Sequence, residues 1–298
     1  MRDSTEGDYA KGRRARYDFV MARLRRIAKF RSFACAIAFC ATAVCPHAAP
    51  PQEITSRDTL WIVVHDGCVP DQLNSHDPKP CARVDLDDGV DKGFVILKDI
   101  FGTTQYLLIP TARIPGIESP IILAPDAPNY FADAWDARTY VDDALHQTLP
   151  REDIALAINS VAGRSQDQLH IHVDCIQPDV QAALQKQARS IRKRWTRLTV
   201  ELSGHRYWAM WVDGENLGAN NPFRLLAKGL PGAAQDMGNR TLVVVGATRA
   251  RGAMGFVILE DQVDENNHDS ANGEELLDHG CSIVTAAAAA TTAAQPKN

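Results

Sequence analysis

The sequence contains no apolar run long enough to cross a membrane as a helix. The longest run, from Phe33 to Val44, has about twelve mostly apolar residues, whereas a spanning helix needs about 20. Basic residues precede this run, and small residues and prolines follow it, a pattern typical of a secretory signal. This pattern predicts that residues 1–50 form a signal peptide or membrane anchor preceded by an N-terminal extension. Met21 is the more natural start of the protein. The rest of the chain is then exported from the cytoplasm.

The body of the chain also lacks an excess of positive charge. Residues 1–31 hold ten lysines and arginines but only four acidic residues, so residues 32–298 carry a formal net charge of −11 within a total of −5. Non-specific nucleic-acid binding needs a basic surface. This balance predicts no nucleic-acid partner, and the sequence implies no obligatory protein partner.

Cysteines are few, and three of the seven fall in the N-terminal segment. The other four are Cys68, Cys81, Cys175 and Cys281, which allow three pairings. Proximity favours Cys68–Cys81, which leaves Cys175–Cys281. Both bonds would persist in an oxidising compartment. The alternative is four ordinary buried thiols.

The most informative pattern in the chain is an alternation of polar and apolar residues from Gln168 to Asp174. Period-two alternation predicts a half-buried strand, with Gln168, His170, His172 and Asp174 on one face. Two imidazoles about 7 Å apart on one rigid face form a reactive surface. The pattern therefore indicates chemistry on a phosphate, with a histidine as the attacking group.

Residues upstream of the histidines suit this interpretation. Asn159 and Ser160, followed by Arg164 and Ser165, are small or cationic residues of the kind that hold a phosphate. Arg164, Ser165 and the backbone N–H groups near Gly163 are predicted to stabilise the negative charge that grows during attack.

Two other interpretations of the histidine pair stay open. In one, the histidines are ordinary structural residues. In the other, the His-x-His pair and Asp174 form a zinc half-site. No second Cys/His pair at metal-ligand spacing lies nearby, and His205, His268 and His279 are isolated in the sequence. The preferred interpretation needs no metal and no cofactor.

Periodicity predicts an α+β fold with an antiparallel sheet and flanking helices. Residues 57–180 are predicted to form a catalytic half with strands at 93–98, 106–109, 153–159 and 169–176 and a helix at 130–146. Residues 181–284 form a second α+β half with strands at 198–202, 207–212, 241–247 and 255–259 and a helix at 222–228. A long basic helix from 178 to about 197 joins the halves, and the tail at 285–298 is predicted to be disordered.

A short repeat suggests that the second half is a duplicate of the first. The sequence Gly-Phe-Val-Ile-Leu-Lys-Asp at 93–99 recurs as Gly-Phe-Val-Ile-Leu-Glu-Asp at 255–261. The two copies do not fall at matching places in the order of elements. If the duplication is real, the second half has lost the histidines and the chain has one active centre.

From Gly163 to Val173 the chain resembles the signature of the histidine triad superfamily, Gly-Gln-Ser-x-x-His-x-His-x-His followed by an apolar residue. In this register Gln168 replaces the first histidine, His170 is the middle one and His172 the last. Asn159 stands where the superfamily keeps an asparagine. The resemblance implies a histidine triad-like antiparallel sheet.

Other blocks resemble the CDP-diacylglycerol pyrophosphatase branch of this superfamily. They span most of residues 60–284 and lie at 66–70, 80–85, 93–99, 105–111, 113–120, 169–172 and 278–281. The resemblance implies hydrolysis of CDP-diacylglycerol to CMP and phosphatidate. It also implies an envelope protein associated with the inner membrane, with its catalytic part on the periplasmic side.

The resemblance also implies roles for individual residues. His170 would attack the phosphorus that bears the nucleoside and form a covalent nucleotidyl-histidine, which water then hydrolyses. His172 would bind a non-bridging oxygen or protonate the bridging one, and Gln168 would donate a hydrogen bond. Lys98 and Arg113 are further candidates for binding the diphosphate or the phosphatidyl side, and it is equally open that they are solvated surface cations.

A lipid substrate requires contact with a membrane surface. Residues 185–198 carry six lysines and arginines together with Trp195, a composition suited to lying on anionic lipid, although a solvated helix is the commoner outcome. Two further functions remain as alternatives. One is a histidine triad hydrolase or nucleotidyltransferase acting on soluble nucleotides, and the other is a non-catalytic protein that binds nucleotide or lipid.

Overall fold

The computed structural model describes residues 56–284, which form an α+β protein around one antiparallel sheet. The predicted signal segment, its three cysteines and the predicted tail lie outside the described residues. Within residues 56–284, no helix combines the length and the apolar character needed to cross a bilayer.

A single sheet holds the strands of the described residues. They are β1 (Arg83–Asp85), β2 (Phe94–Lys98), β3 (Tyr106–Pro110), β4 (Ile154–Ile158), β5 (Ile171–Ile176), β6 (Thr196–Arg197), β7 (Trp208–Asp213), β8 (Arg240–Arg249), β9 (Ala253–Gln262) and β10 (Leu277–Asp278). Their order is β1-β2-β3-β5-β4-β8-β9-β7-β6, and all pairs are antiparallel. The short β10 pairs with β5 beyond the end of β3.

The helices cover both faces of this sheet. The α-helices are α1 (Thr59–Ile62), α2 (Val69–Ser75), α3 (Tyr130–Asp136), α4 (Thr139–Leu145), α5 (Pro178–Gln187) and α6 (Pro222–Gly229), and a π-helical segment, Val63–Cys68, joins α1 to α2. Short 3₁₀ segments lie at Ser56–Asp58, Pro120–Leu123, Arg151–Asp153, Ala233–Gln235, Met237–Asn239, Ala250–Gly252, Glu265–Asn267 and Gly273–Leu276.

Two apolar clusters stabilise the arrangement. The larger contains most buried side chains of both predicted halves, including Trp135 and Phe256, whose rings meet edge to face with centroids 4.8 Å apart. The smaller joins α1 and its π-helical extension to β2 and β3. Because β4 is covered on both faces, all five of its residues are buried, as expected for its uninterrupted apolar sequence.

Both predicted disulfides are present. Cys68–Cys81 closes a loop over a sequence separation of 13 residues within the smaller cluster. Cys175–Cys281 ties β5 to the C-terminal segment over a separation of 106 residues. The second bond brings residues distant in sequence to the end of the histidine strand.

The predicted single helix over 130–146 is wrong, because the segment forms two helices, α3 and α4. The Arg138 guanidinium donates a hydrogen bond of 2.6 Å to the carbonyl of Trp135 and lies over its ring. In a continuous helix this carbonyl would accept from the backbone N–H of residue 139. The Arg138 side chain therefore competes with the helical backbone hydrogen bond for the Trp135 carbonyl, at the point where the helix breaks.

The predicted long basic helix is also wrong, since α5 ends at Gln187 and residues 196–197 form β6. The intervening chain runs irregularly beside the sheet. The backbone N–H of Trp211 donates to the carbonyl of Arg192, and the Arg249 guanidinium donates to that of Ile191. These tertiary hydrogen bonds take the place of helical hydrogen bonds, and the burial of Ile191 also stabilises the irregular conformation.

The predicted halves share one continuous sheet through β4 and β8. Read inward from the outer edges, the strand orders are β1-β2-β3-β5-β4 and β6-β7-β9-β8. Without the short edge strand β1, the four remaining strands of the first half follow the same order as the four of the second, and each set places its third strand at the junction.

Candidate active site

His170 lies immediately before β5, and its tautomer is set by the backbone. Its Nδ1 is 2.7 Å from the carbonyl oxygen of Gln168, so Nδ1 carries the proton and Nε2 keeps a lone pair. Burial, and then the neighbouring His172, lower the pKa of His170 to about 4. At neutral pH the imidazole is therefore uncharged and has the protonation state of a nucleophile.

His172 lies on β5 beside this ring. The two imidazoles are nearly perpendicular, with centroids 5.0 Å apart. The side-chain amide nitrogen of Gln105, which directly precedes β3, lies 2.5 Å from Nδ1 of His172. This contact leaves Nε2–H to point toward the carboxylate of Glu274, 3.6 Å away.

The Glu274 carboxylate sits among several nitrogen donors. Besides His172, the amide nitrogens of Gln105 and Asn159 and Nε2 of His279 each lie 3.4 Å from one of its oxygens. The backbone N–H of Glu274 in turn donates to Oδ1 of Asn159 at 3.1 Å. Converging donors of this kind form a binding position for an anion.

His279 supplies the positive charge among the nitrogen donors around Glu274. Its Nδ1 is 2.9 Å from Oδ2 of Asp174, and Thr104 donates to the other oxygen of that carboxylate at 2.6 Å. Burial alone would lower the pKa of His279, but the hydrogen bonds and charges of Asp174 and Glu274 outweigh it and raise the pKa to about 10. His279 is therefore cationic at neutral pH.

A lysine and an aspartate complete the charged surroundings. Burial raises the pKa of Asp99, whose Oδ2 accepts from the Gln105 amide at 3.1 Å. Lys98 donates to the carbonyls of Asp99 and Gly102 and lies over the ring of Tyr106. Burial also lowers the pKa of Lys98. Lys98 thus lies next to this network at the end of β2.

Gln168 and Ser160 are engaged by the backbone. The Gln168 amide donates to the carbonyls of Pro110 and Ala112, and its oxygen accepts from the N–H of Ile114. The Ser160 hydroxyl donates to the carbonyl of Ser270 at 2.5 Å. In this arrangement both side chains hold loops beside the site.

The predicted cations Arg164 and Arg113 form ion pairs. Arg164 binds both oxygens of Glu118 at 2.6 and 2.7 Å and also binds Asp167, with 6% of its side chain exposed. Arg113 pairs with Asp58 and lies over the ring of Trp61. Ser165, beside Arg164 in sequence, is exposed. The structure thus brings Asn159 to Glu274, which also lies beside His172, while Arg164, Arg113 and Ser165 face other partners or solvent.

The zinc half-site interpretation requires Asp174 to face His170 and His172. Its two oxygens instead bond Thr104 and His279. The carboxylate therefore orients a third histidine.

The two histidines of the pair are both buried. His170 is 7% exposed and His172 is 4% exposed. The segment that carries Glu274 and His279 closes one side, held by the pairing of β10 with β5 and by the Cys175–Cys281 bond. It packs so closely on the 99–105 turn that a Cβ on Gly102 would lie 2.5 Å from Cβ of His279.

The third histidine is the main feature that the sequence pattern did not assign. Glu274 and His279 lie more than 100 residues after Asn159 and Asp174, their partners. The Asp278-His279-Gly280-Cys281 block was the available signal. Once Cys281 is paired with Cys175, His279 must lie near the strand that contains His172.

Fold and site together define an α+β protein with a neutral histidine in a buried, charged network, an arrangement suited to nucleophilic chemistry. The family model described as CDP-diacylglycerol pyrophosphatase matches residues 55–285. A curated CDP-diacylglycerol pyrophosphatase from Yersinia pestis is 40% identical over 232 residues, which cover 78% of this chain and 87% of that protein. The chain therefore belongs to the CDP-diacylglycerol pyrophosphatase family, a family of hydrolases, and the predicted resemblance is confirmed.

Proposed function

We propose that this protein hydrolyses CDP-diacylglycerol to CMP and phosphatidate through a covalent nucleotidyl-histidine at His170. The observation that carries the proposal is the state of this ring. The carbonyl of Gln168 holds the proton on Nδ1, and burial keeps the imidazole neutral. Membership of the family supports the substrate.

The reaction has two displacements. Nε2 of His170 forms a bond to the phosphorus that bears the cytidine, and the bond from that phosphorus to the bridging oxygen breaks. The electron pair goes to the bridging oxygen, which leaves as phosphatidate. Water then attacks the same phosphorus and loses one proton to the solvent, and cleavage of the N–P bond releases CMP and restores the lone pair on Nε2.

The donors around Glu274 are the proposed site of the diphosphate oxygens. Two side-chain amides, the Nε2–H of His172 and the cationic His279 already surround one carboxylate there. A phosphate oxygen carries the same charge and accepts the same hydrogen bonds. In this proposal Glu274 moves aside when the substrate binds, and the donors then stabilise the developing negative charge.

A membrane surface is the proposed source of the lipid. The exposed residues of the segment between α5 and β6 include Arg189, Arg192 and Arg194. Each such cation near an anionic leaflet contributes about 1 kcal/mol of attraction. The expected outcome is that vesicles containing anionic lipid bind the protein, that neutral vesicles bind it weakly, and that replacing these three arginines by glutamate removes the difference.

We also propose that the fold is histidine triad-like and that the second half arose by duplication, with the histidines retained in the first half alone. The matching strand orders on the two sides of the β4–β8 junction support this proposal. The Gly255–Asp261 repeat lies on β9, whereas its counterpart lies on β2. The repeat therefore does not follow the topological match, and the proposal rests on strand order.

Rapid quenching in alkaline denaturant, which preserves a P–N bond, tests the covalent step. CDP-diacylglycerol labelled in its CMP part should leave acid-labile label on the native protein and none on His170→Ala. His65→Ala is the matched control, because His65 has 60% of its side chain exposed, and it should retain both label and turnover. Turnover by His170→Ala at the native rate, or release of label only from soluble dinucleotides, would contradict the proposal.

A further inference from the structure

A second cluster of charged side chains lies apart from the histidine pair, where three elements of the second half meet. His205 lies in the turn before β7, Asp261 is near the end of β9, and Asp269 follows the 3₁₀ segment Glu265–Asn267. One ligand atom from each residue can be chosen such that all three lie within 4.8 Å of one another. Nδ1 of His205 is 2.5 Å from Oδ2 of Asp269 and 3.9 Å from Oδ2 of Asp261.

The backbone turns one oxygen of each carboxylate toward the imidazole. Oδ1 of Asp269 accepts from the N–H of Ala271 at 2.7 Å, and Oδ1 of Asp261 accepts from the N–H of Gln262 at 2.9 Å. The side chains of Asp261 and Asp269 are each 10% exposed. Two largely buried carboxylates are therefore held close together and oriented before any ligand binds.

The observation that points to a ligand is the Oδ2 atom of Asp261. It is buried, and within residues 56–284 it has no hydrogen-bond partner. A buried carboxylate oxygen without a partner is costly, since nothing replaces the water it has lost.

We propose that His205, Asp261 and Asp269 bind a divalent first-row transition-metal ion, of which zinc is the reference case. An imidazole nitrogen with two carboxylate oxygens suits such ions better than it suits magnesium or calcium, which prefer oxygen ligands alone. Metal–ligand bonds of about 2.0–2.2 Å place neighbouring ligand atoms roughly 3–3.5 Å apart. Shifts of about 1 Å in these side chains meet that requirement.

Access to the cluster is open from one side. A hollow of about 610 Å³ is lined by His205, Asp261 and Asp269 together with Arg197 and Arg206. The imidazole of His205 is 22% exposed at this opening. An ion can therefore enter, and water or an anion can occupy the coordination positions that the three side chains leave.

The site would stabilise the loop that leads to Glu274. After Asp269, the carbonyls of Ser270 and Ala271 accept from the hydroxyl and the N–H of Ser160, and Glu274 follows three residues later. A metal bound at Asp269 would hold the start of this loop in place. Its role is structural, and the proposal does not depend on the reaction at His170.

Metal titration of the chelator-treated, dialysed full-length protein tests the site. Isothermal titration with Zn²⁺ and the visible spectrum with Co²⁺ should show one equivalent bound, and Zn²⁺ should raise the melting temperature. Asp261→Asn should weaken binding by more than about 100-fold. His268→Gln and Glu265→Gln, two exposed positions on the same loop, should bind as the native protein does.

Several outcomes would overturn the proposal. They are Co²⁺ or Zn²⁺ binding that saturates only at millimolar concentration, binding lost equally in His268→Gln, and unchanged binding in Asp261→Asn. If Asp261→Asn does not fold, His205→Gln replaces it, because that imidazole is partly exposed. The native protein's Co²⁺ spectrum and stoichiometry decide the question without any variant.

Discussion

His170 and His279 are held in opposite charge states by their surroundings. Burial, and then the neighbouring His172, keep His170 neutral, whereas two acceptors, Asp174 and Glu274, keep His279 protonated. One ring therefore provides a lone pair and the other a positive charge. In the proposed mechanism, these opposite charge states would let one histidine act as the nucleophile and the other as an electrostatic stabiliser at the same pH.

The pH dependence of kcat/KM follows from these two shifts. Because the pKa of His170 is lowered from 6.5 to about 4, activity should persist well below pH 6.5 and fall only as the pH approaches 4. Because the pKa of His279 is raised to about 10, the alkaline loss should occur near that value. An acid limb centred between pH 6 and 7 in steady-state assays would contradict the assignment of His170.

Replacing Glu274 by glutamine should lower the pKa of His279. Removal of the negative charge 3.4 Å from Nε2 makes the imidazolium less favourable, by on the order of one pKa unit or 1.4 kcal/mol. The measurement is an NMR titration of His279. Glu275→Gln is the matched control, because the Glu275 carboxylate accepts from the Tyr207 hydroxyl instead. An equal shift of the His279 pKa in both variants would contradict this explanation.

The C-terminal segment is the element on which the site depends most. It carries Glu274 and His279, pairs with β5 through β10, and is bonded to that strand by Cys175–Cys281. The conformation of helix α5 and the chain after it, in contrast, depends on contacts with the rest of the molecule. Their basic sequence favours a long helix, but contacts with β7 and Arg249 end it at Gln187.

Removal of the Cys175–Cys281 bond should cost more stability than removal of Cys68–Cys81. Closure of a loop of about 100 residues contributes about 4.7 kcal/mol, and of a 15-residue loop about 3 kcal/mol. Replacing both cysteines of each pair by alanine and measuring urea unfolding compares them. The Cys175–Cys281 variant should also lose activity, because His279 lies two residues before Cys281, and retention of full activity would contradict this role.

At the scale of the whole molecule, one sheet joins both halves. Strand β4 pairs with β8, and the larger apolar cluster includes residues of each half. Neither half can bury its apolar residues at the junction without the other. The boundary near residue 180 therefore separates sequence segments that share a core.

Unfolding of the protein should consequently be a single cooperative transition. Near-UV and far-UV circular dichroism should give the same midpoint, as expected when one core melts as a unit. A fragment of residues 56–180 should expose one edge of β4 and its apolar faces, and it should aggregate or remain unfolded. Two separated transitions, or a folded monomeric fragment, would show that the halves are independent.

The sequence by itself predicted the longer strands, both disulfide pairs and the family, and it proposed His170 and His172 as site residues. Each of these follows from local periodicity, from spacing or from motif resemblance. The strand predicted at 198–202 is wrong, because the chain pairs with β7 only at Thr196–Arg197, and the short β1 and β10 were not predicted. Periodicity placed the histidines on one strand, although β5 begins at Ile171 and His170 precedes it.

Only the tertiary structure decided the charge state of His170 and the presence of Glu274 and His279 beside His172. It also placed Arg164 in an ion pair with Glu118, which a local pattern of small and cationic residues could not reveal. The physical reason is that burial and charge at one atom depend on chain segments about 50 to 100 residues away. Such contacts are set when the sheet and the C-terminal segment pack together.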